Sequence, residues 1–257
     1  MTGKNVMRIL LTNDDGIHAP GLELLEAIAR QLSDDVWVCA PAEEQSGAGH
    51  SLTLHQPVRL REYGEKRFAV TGTPTDSVNL GLRKLFADKR PDLVISGINA
   101  GENLADDITY SGTISAAMEG ALAGIPAIAL SQAMRERGAS FACAQEWALK
   151  VLTPLIDAAM DKRTLVNVNF PDLTADAVKG IRMVRQGFHD YSRGSLIEGT
   201  DPRGRNYYWF GLEEMEHTAD HGTDLEAIAD GYIAVTPLQL DLTHHQALAA
   251  LSEQFAA

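Results

Sequence analysis

Two adjacent aspartates, Asp14 and Asp15, stand directly after the first apolar run of the chain, Arg8–Thr12. Neighbouring carboxylates repel each other, and one of them usually takes a proton unless a cation holds both. A divalent metal ion bound between them would remove this repulsion. The alternative is that the pair forms a turn and caps the helix predicted to follow, because aspartate is a common helix N-cap. The spacing alone leaves both interpretations open.

Two later loops offer further oxygen ligands, through the hydroxyl of Ser46 and the amide oxygen of Asn99. A ligand set made only of oxygen atoms, with no cysteine and no histidine required, favours Mg²⁺, Mn²⁺ or Ca²⁺ over Zn²⁺. Ser46 and Asn99 are therefore candidate metal ligands beside the two aspartates.

Ser111-Gly112-Thr113 opens an alanine-rich stretch that is predicted to be helical. The first backbone N–H groups of a helix have no partner within it, and with the positive end of the helix dipole they bind anions such as phosphate. The two hydroxyls add donors. Taken alone, a serine or threonine at this place is more often an ordinary N-cap. A metal site and an anion site at the same sheet edge would support each other.

These segments must be positioned by strands and helices, which alternate over the first two-thirds of the chain. Such alternation predicts an α/β fold with a doubly wound, mostly parallel sheet and helices on both faces. Ligands of such sheets sit beyond the carboxyl ends of the strands, which is where the candidate residues fall. Strands are predicted at Arg8–Thr12, Val36–Ala40, Asp92–Ser96, Pro126–Ser131 and Leu165–Phe170, and helices at Leu22–Leu32, Thr73–Phe86, Gly112–Ala123 and Ser140–Met160, the last with a kink at Pro154.

Two parts of the chain depart from this alternation. Leu52–Val70 alternates like β-strands around a turn at Tyr63-Gly64-Glu65, which predicts an inserted β-hairpin. Beyond Lys179 the chain becomes β-rich, with strands predicted at Ile181–Arg185, Tyr207–Gly211 and Tyr232–Thr236 and a last helix at His244–Phe255. We expect one domain over residues 1–257, with a core at about 6–178 and a C-terminal β-rich arm and last helix at about 179–257.

The arm contains four aromatic residues in succession, Tyr207, Tyr208, Trp209 and Phe210. A strand turns alternate side chains to opposite faces, so a single buried face cannot hide all four. Monomers rarely leave such an apolar patch in water, and exchange of the arm between subunits would cover it. The alternative is that the arm folds back onto its own sheet.

Composition limits the partners of the chain. Its 257 residues include 22 Lys and Arg against 35 Asp and Glu, a net charge of −13. We therefore expect it to bind neither duplex nucleic acid nor a membrane surface, both of which attract basic proteins. Cys39 and Cys143 are expected to be buried and reduced. The N-terminus lacks a signal-peptide pattern, so we expect a cytoplasmic protein.

Several other patterns are weak or absent. The chain has neither a dinucleotide-binding fingerprint nor a P-loop. His217 and His221 have a spacing compatible with a metal site, but we expect them to be exposed or structural. Gly47 and His50 border Ser46 and are candidate substrate contacts, with local packing as the alternative for His50.

With these residues assembled, the chain resembles the survival protein SurE family of metal-dependent nucleoside 5'-monophosphate phosphatases. The resemblance covers nearly the whole chain in order, and its Asn-Asp-Asp-Gly and Ser-Gly-Ile-Asn-x-Gly motifs are highly specific. The matching segments are Arg8–Gly21, Gln45–Leu54, Gly72–Asp76, Ser96–Gly101, Tyr110–Thr113, Asp201–Gly204 and Asp230–Pro237. Where the family usually has a long basic or polar residue before Ser-Gly, this chain has Glu43-Glu44-Gln45.

The resemblance implies a role for each candidate residue. It implies that Asp14, Asp15, Ser46 and Asn99 hold one divalent ion per subunit, either Mg²⁺ or Mn²⁺ with Ca²⁺ as a further candidate. It implies that Asn99, Ser111, Gly112 and Thr113 bind the phosphate, and that Asp14, Asp15, Asn99 and Ser111 are catalytic. The expected fold is a Rossmann-like core whose C-terminal arm is exchanged in a homodimer or homotetramer. The expected enzyme is a 5'-nucleotidase, with 3'-nucleotides and short polyphosphate as further candidate substrates.

Two chemical routes fit these residues. In the simpler one, water attacks the phosphate, and whichever of Asp14 and Asp15 has a free oxygen orients that water or takes its proton. In a covalent variant, Ser111 or an aspartate is the nucleophile, although phosphatases that form an aspartyl-phosphate use an Asp-x-Asp spacing. Two rival functions are a nucleotide-sensing module without turnover and a glycosyltransferase-like enzyme that uses a metal-bound nucleotide diphosphate.

Overall fold

The computed structural model describes residues 7–135, 140–158, 161–189, 195–211 and 221–255. The strands are β1 (Arg8–Thr12), β2 (Asp35–Pro41), β3 (Leu60–Gly64), β4 (Arg67–Val70), β5 (Leu93–Ala100), β6 (Ala127–Gln132), β7 (Thr164–Phe170), β8 (Ile181–Met183), β9 (Ser195–Thr200), β10 (Asn206–Gly211) and β11 (Ile233–Gln239). The α-helices are α1 (Pro20–Leu32), α2 (Pro74–Lys84), α3 (Gly112–Leu122), α4 (Ala142–Asp157), α5 (Asp224–Ala229) and α6 (His245–Phe255), and a 3₁₀ turn covers Ala105–Thr109.

Nine strands form one sheet in the order β3-β4-β2-β1-β5-β6-β7-β11-β8. The six strands from β4 to β7 pair in parallel, whereas β3 runs antiparallel to β4 and β11 antiparallel to β7. The predicted mostly parallel α/β sheet is therefore confirmed. β2 lies on one side of β1 and β5 on the other, so the strand order reverses there. Ligands of open α/β sheets bind at such a switch point, which here is flanked by Asp14 and Asn99.

Helices cover both faces of the sheet because its strands are apolar on both sides. Residues of α1 and α4, such as Leu25 and Leu152, pack with Ile9 and Leu11 of β1 in one buried cluster. Residues of α2 and α3 pack with the neighbouring Leu10 in a second cluster on the opposite face. Alternation along β1 thus places successive side chains in the cores on opposite faces of the sheet. Packing on both faces holds the strand and so fixes the position of the residues that follow it at the sheet edge.

The C-terminal third differs in part from the expectation. β8 and β11 lie in the main sheet, so these parts of residues 179–257 complete the core, and the predicted division at about residue 178 stays a prediction. The predicted hairpin also joins the sheet, because β4 pairs with β2. α4 is shorter than predicted and runs from Ala142 to Asp157 with Pro154 inside it.

β9 and β10 form a separate two-stranded antiparallel sheet, which we call the arm hairpin. The aromatic side chains of β10 are exposed on both of its faces, with Trp209 66% and Phe210 91% exposed. The arm hairpin therefore does not fold back onto the main sheet. His221 is largely exposed, as expected, and contacts Glu226, whereas His217 lies outside the described residues. None of the helices in the described ranges combines the length and apolar character needed to cross a membrane.

Asp35, at the start of β2, joins three parts of the fold through its carboxylate. It accepts hydrogen bonds from Arg8 Nε at 2.7 Å, Lys66 Nζ at 2.9 Å and Trp37 Nε1 at 2.8 Å. Burial acts to raise the pKa of Asp35, but these three donors together hold it well below its ordinary value. A carboxyl whose pKa is lowered by folding stabilises the fold above the unfolded-state pKa and loses that contribution as the pH falls.

We therefore expect Asp35→Asn to lower the free energy of unfolding at pH 7 by roughly 1.5–3 kcal/mol, the usual value for hydrogen bonds to a charged group. Urea unfolding measures this difference, which should shrink as the pH falls below about 4. Asp34→Asn, at the exposed neighbouring position, should change stability by less than about 0.5 kcal/mol. A loss of unfolding free energy in Asp35→Asn that does not depend on pH would contradict this explanation.

Candidate active site

The loop after β1 turns sharply and carries Asp14 and Asp15 to the sheet edge. Asn13 Nδ2 donates a hydrogen bond to the Gly16 carbonyl at 2.9 Å, and Gly16 has a φ of 99°, a conformation that favours glycine. Helix α1 begins after Ala19 with no side-chain cap. The two aspartates therefore do not cap α1, so the capping part of the alternative explanation is wrong, although both residues do lie in the turn after β1.

Asp14 is 4% exposed and lies against the first turn of α3. Thr113 Oγ1 donates a hydrogen bond to Asp14 Oδ1. Burial raises the pKa of Asp14, and the Thr113 hydroxyl and the backbone N–H groups of Thr113 and Gly112 act in the opposite direction. The start of α3 thus faces a carboxylate of the chain itself.

Gly112 makes this approach possible. A Cβ at position 112 would lie 2.7 Å from Asp14 Cβ and 2.9 Å from Asp14 Oδ2, closer than non-bonded atoms can approach. The glycine of the Ser-Gly-Thr sequence is therefore required by the fit of α3 against the loop after β1. Its predicted contact with phosphate stays a prediction.

Asp15 is less buried than Asp14 and lines an open cleft of about 380 Å³. Burial and the charge of Asp14 raise the pKa of Asp15 to about 6, with a smaller upward contribution from Glu44. The Ala100 N–H lies 3.4 Å from Asp15 Oδ2 and lowers the pKa. The end of β5 is thereby placed beside the aspartate pair.

Ser46 lines the same cleft as Asp15 and Ala100. Its loop is fixed by a hydrogen bond from the Gln45 N–H to the Asp14 carbonyl at 2.8 Å. Ser46 Oγ donates its proton to Glu44 Oε1 at 2.9 Å, so its lone pairs stay available as a ligand. The structure thus brings together Asp15 and Ser46, which are separated by thirty residues in the chain.

Asn99 lies near the end of β5, opposite Ser131 of β6. Its side-chain Nδ2 donates to the Gly101 carbonyl at 2.9 Å. This bond fixes the amide so that Oδ1 is the atom available to a ligand. The amide oxygen is the atom that the metal assignment requires.

The residues at this edge fit a divalent ion held by oxygen ligands. Within the described ranges, no cationic side chain acts on the pKa of Asp14 or Asp15, so both negative charges lack a counter-charge. Asn13 Oδ1 is buried without a hydrogen-bond partner among the described residues. The same residues contain no group of three or more His, Cys, Asp or Glu side chains suited to a metal. An ion here would therefore need hydroxyl and amide oxygens beside the two carboxylates, which Ser46 and Asn99 offer.

Ser111 is the N-cap of α3, because its Oγ accepts a hydrogen bond from the Ile114 N–H at 3.1 Å. The capping interpretation of this serine is correct, but the hydroxyl keeps its own proton for donation to a ligand. The hydroxyl proton of Thr113 is instead used by Asp14. Thr113 therefore acts on the site through Asp14, with both its hydroxyl and its backbone N–H. Its predicted phosphate contact stays a prediction.

His50 and Gly47 belong to the same loop as Ser46. His50 Nε2 lies 2.7 Å from Glu119 Oε1 on α3, which favours the packing interpretation of His50 over a substrate contact. Gly47 is exposed with a φ of 74°, and a Cβ there would meet no atom. Their predicted role in substrate binding stays a prediction.

Sequence reasoning missed the groups that hold the loop between Asn99 and Ser111. Asp224 of α5 is fully buried, and its carboxylate accepts hydrogen bonds from the Ala105 N–H at 2.9 Å and the Gly187 N–H at 2.8 Å. Asn103 Nδ2 donates to Ser131 Oγ at 2.7 Å. The capping pattern Thr223-x-x-Glu226 could have predicted the start of α5, but nothing local in the sequence indicates what Asp224 contacts.

Comparison with known proteins identifies the family to which the chain belongs. The family model described as "Survival protein SurE" matches residues 9–193. A curated relative from Erythrobacter litoralis, "5'-nucleotidase SurE", is 66% identical over 251 residues, covering 97% of this chain and 100% of the relative. Another of the same name from Rhizorhabdus wittichii is 58% identical over 248 residues, covering 95% and 98%.

A solved structure, the SurE protein from Aquifex aeolicus, superposes with a TM-score of 0.85 at 40% identity and covers 96% of this chain and 99% of that one. The α/β fold described above is thus also the fold of that protein. The two relatives and the solved structure match nearly the full length of the chain, and the family model matches residues 9–193. The chain therefore belongs to the survival protein SurE family.

Proposed function

We propose that this chain is a metal-dependent 5'-nucleotidase that hydrolyses nucleoside 5'-monophosphates to nucleoside and inorganic phosphate. The observation that carries the proposal is the contact of Asp14, the direct neighbour of Asp15, with the N-terminus of α3 at the switch point of the sheet. The names of the relatives support the same activity. As further substrates we propose 3'-nucleotides and short polyphosphate, and as location the cytoplasm, where free buried thiols such as Cys39 and Cys143 persist.

Asp14, Asp15, Ser46 and Asn99 would hold the ion, which we propose to be Mg²⁺ or Mn²⁺, with Ca²⁺ as a further candidate. When bound, such an ion supplies a Lewis acid that neutralises charge on the phosphate oxygens. Thr113 keeps Asp14 in place, and Glu44 accepts the hydroxyl proton of Ser46, which leaves the Ser46 lone pairs for an ion. These neighbours orient the ligands, as outer partners do at other metal sites.

The phosphate is proposed to lie between Asn99 and the start of α3. There the Ser111 hydroxyl can donate to a phosphate oxygen while its lone pair caps the helix. The positive end of the α3 dipole favours the negative charge that develops as the ester bond breaks.

Asp15 is the better placed aspartate to orient the attacking water. Asp14 is buried, and one of its oxygens is occupied by Thr113. Asp15 lines the open cleft, and its hydrogen bond among the described residues is the long contact to the Ala100 N–H. A carboxylate within reach of water can take its proton during attack. Asp15 is therefore the proposed general base.

Covalent attack by Ser111 is the alternative route. A serine nucleophile needs a base within hydrogen-bond reach, and the Ser111 hydroxyl contacts a backbone N–H of its own helix. Quenching wild-type enzyme during turnover of ³²P-labelled substrate distinguishes the two routes. Labelled phosphoserine in the protein would establish the covalent route and overturn water attack.

Chelation tests the proposed function directly. After EDTA treatment we expect phosphate release from a panel of nucleoside monophosphates to stop, and added Mg²⁺ or Mn²⁺ should restore it, because no other counter-charge for Asp14 and Asp15 is found among the described residues. Colorimetric phosphate measurement reports the result. Nucleotide binding without release would favour a sensing module, and turnover only with nucleotide-diphosphate sugars would favour a glycosyltransferase.

The ion should also stabilise the fold in a pH-dependent way. Because folding raises the pKa of Asp15 to about 6, the metal-free fold loses stability as the pH rises from the unfolded-state value of about 4 through 6. The ion binds ionised carboxylates, so it should offset more of this loss at pH 8 than at pH 5. At a hundredfold excess over Kd, stabilisation of about 2.7 kcal/mol corresponds to a Tm rise of roughly 5–10 °C. An equal Tm rise at both pH values, measured by calorimetry, would contradict this assignment.

For assembly we propose a homodimer or homotetramer in which the C-terminal arm is exchanged between subunits. The arm hairpin exposes Leu196, Ile197, Trp209 and Phe210 by more than half. Helix α6 has no buried residue and exposes Leu248, Leu251 and Phe255. Exposed apolar surfaces such as these two are rarely left in water by a monomer, and a second copy of the chain would cover them.

Sedimentation equilibrium at micromolar protein should therefore give a mass at least twice 27.8 kDa. The double variant Trp209→Ser/Phe210→Ser removes one aromatic ring from each face of β10 and should shift the population towards monomer. Leu122→Ser, which changes an exposed leucine of α3 outside the arm, should leave the mass unchanged. An active wild-type species of 27.8 kDa would refute arm exchange.

A further inference from the structure

A cleft of about 380 Å³ opens beside the proposed metal ligands, and its lining is partly polar and partly apolar. Asp15, Glu44, Ser46 and Ala100 belong to the site already described. The other lining residues are Ala19, Pro20, Gly21 and Phe141, which we call the apolar wall. We call this space the Phe141 cleft. Its volume falls within the range of small-molecule sites and exceeds what a phosphate group alone requires.

The apolar wall is held in place by close packing between α1 and β5. A Cβ at Gly21 would collide with the Ile98 carbonyl oxygen and would lie 2.9 Å from Phe141 Cζ. Glycine at this position therefore lets the start of α1 approach both the end of β5 and the aromatic ring. The ring is thereby fixed next to the residues that surround the proposed metal ion.

Phe141 occupies a position where local rules favour another residue. It is the N-cap of α4 and makes no side-chain capping bond, whereas Ser, Thr, Asp and Asn are preferred there because they bond the free N–H groups. Part of the ring packs against the core and the rest borders the cleft. Departures from local preference often mark functional positions.

Charge decides which half of a nucleotide suits this cleft. Asp15 and the exposed Glu44 line it, and it has no Lys, Arg or His among its described lining residues. A phosphate dianion beside the Glu44 carboxylate would be repelled. The uncharged nucleoside half of the substrate would not be repelled, and an aromatic side chain favours contact with a flat ring.

We infer that the nucleoside half of the substrate lies in the Phe141 cleft with its base stacked on the Phe141 ring, an inference that rests on the proposed 5'-nucleotidase activity. Stacking on an aromatic ring accepts every base, because each has a π-face. The cleft therefore assigns broad tolerance towards purine and pyrimidine nucleotides, together with selection against phosphomonoesters that lack a base.

The test compares adenosine 5'-monophosphate with ribose 5-phosphate, which lacks the base. Phe141→Leu should lower kcat/KM for the nucleotide about tenfold, mainly through KM, as expected for the loss of one base-stacking contact. The same variant should change kcat/KM for ribose 5-phosphate less than about twofold, because the contact is made only to the base. Phe141→Tyr keeps an aromatic ring and should restore the wild-type preference.

Tyr110→Leu is the matched control, since Tyr110 is an aromatic residue directly before Ser111 in the chain and is 62% exposed. Equal losses for both substrates in Phe141→Leu would show that the ring only packs the fold, and a base-dependent loss in Tyr110→Leu alone would move the base to that side. Either result overturns the inference.

If wild-type enzyme hydrolyses neither compound, the proposed function fails, and calorimetric binding of adenosine 5'-monophosphate then tests the cleft by itself. A tenfold weaker Kd in Phe141→Leu supports the inference, and an unchanged Kd overturns it.

Discussion

Replacing Asp14 with asparagine is expected to lower kcat for phosphate release by about 10³-fold, the upper range for loss of one electrostatic group in an active site. The exchange removes one negative charge from the pair that would hold the ion and leaves the shape of the side chain almost unchanged. Phosphate release at saturating Mn²⁺ measures the loss, and calorimetry should show a parallel loss of Mn²⁺ affinity.

The fold should survive this exchange. Burial raises the pKa of Asp14, which means that the folded state disfavours the charged form, so a neutral residue of the same shape should not lower the Tm of the metal-free protein. Glu43→Gln removes an equal charge from an exposed position before Ser46 and should keep wild-type turnover. Retention of more than a tenth of wild-type kcat in Asp14→Asn would eliminate Asp14 as a ligand.

The second large effect is expected from Gly112→Ala, which removes no functional group. The added methyl would lie 2.7 Å from Asp14 Cβ and 2.9 Å from Pro74 Cγ, so Asp14 or the start of α3 must move. Displacement of a reacting group by about 1 Å costs roughly 10²-fold in rate. We expect a loss of that size in kcat.

Gly120→Ala on the same helix separates this positional effect from instability. Its methyl would lie 2.9 Å from Val94 Cβ in the core, and overpacking of this kind costs about 1–3 kcal/mol. Both variants should therefore unfold more easily, but only Gly112→Ala should lose turnover below its unfolding transition. If the two variants lose activity in proportion to stability alone, Gly112 has no positional role.

The sequence by itself determined the main elements and the residues that carry the chemistry. Periodicity placed β1 at its observed bounds and α3 within one residue of its observed end. It could do so because apolar periodicity and strand-end position are local properties of the chain. For the same reason Asp14, Asp15, Asn99 and Ser111 could be selected as candidates before any contact was known.

The sequence did not indicate how the strands beyond residue 178 pair, because this pairing joins distant parts of the chain. β8 and β11 lie in the main sheet, where β11 pairs with β7. The short helix α5 was not predicted, since its six residues give too little periodicity. Pairing partners lie far apart in the chain, and single-segment patterns carry no information about them.

Only the tertiary structure decided how the candidates act together. In the structure the Thr113 hydroxyl donates to Asp14, and the Ser111 hydroxyl oxygen accepts the capping hydrogen bond of the helix. The sequence Ser-Gly-Thr leaves these two roles undetermined. The tertiary structure also placed Phe141 beside Gly21 at the edge of the site. The physical reason is that residue type and local periodicity are properties of single segments, whereas hydrogen-bond partners, burial and the resulting pKa shifts arise from segments that meet only when the sheet has formed.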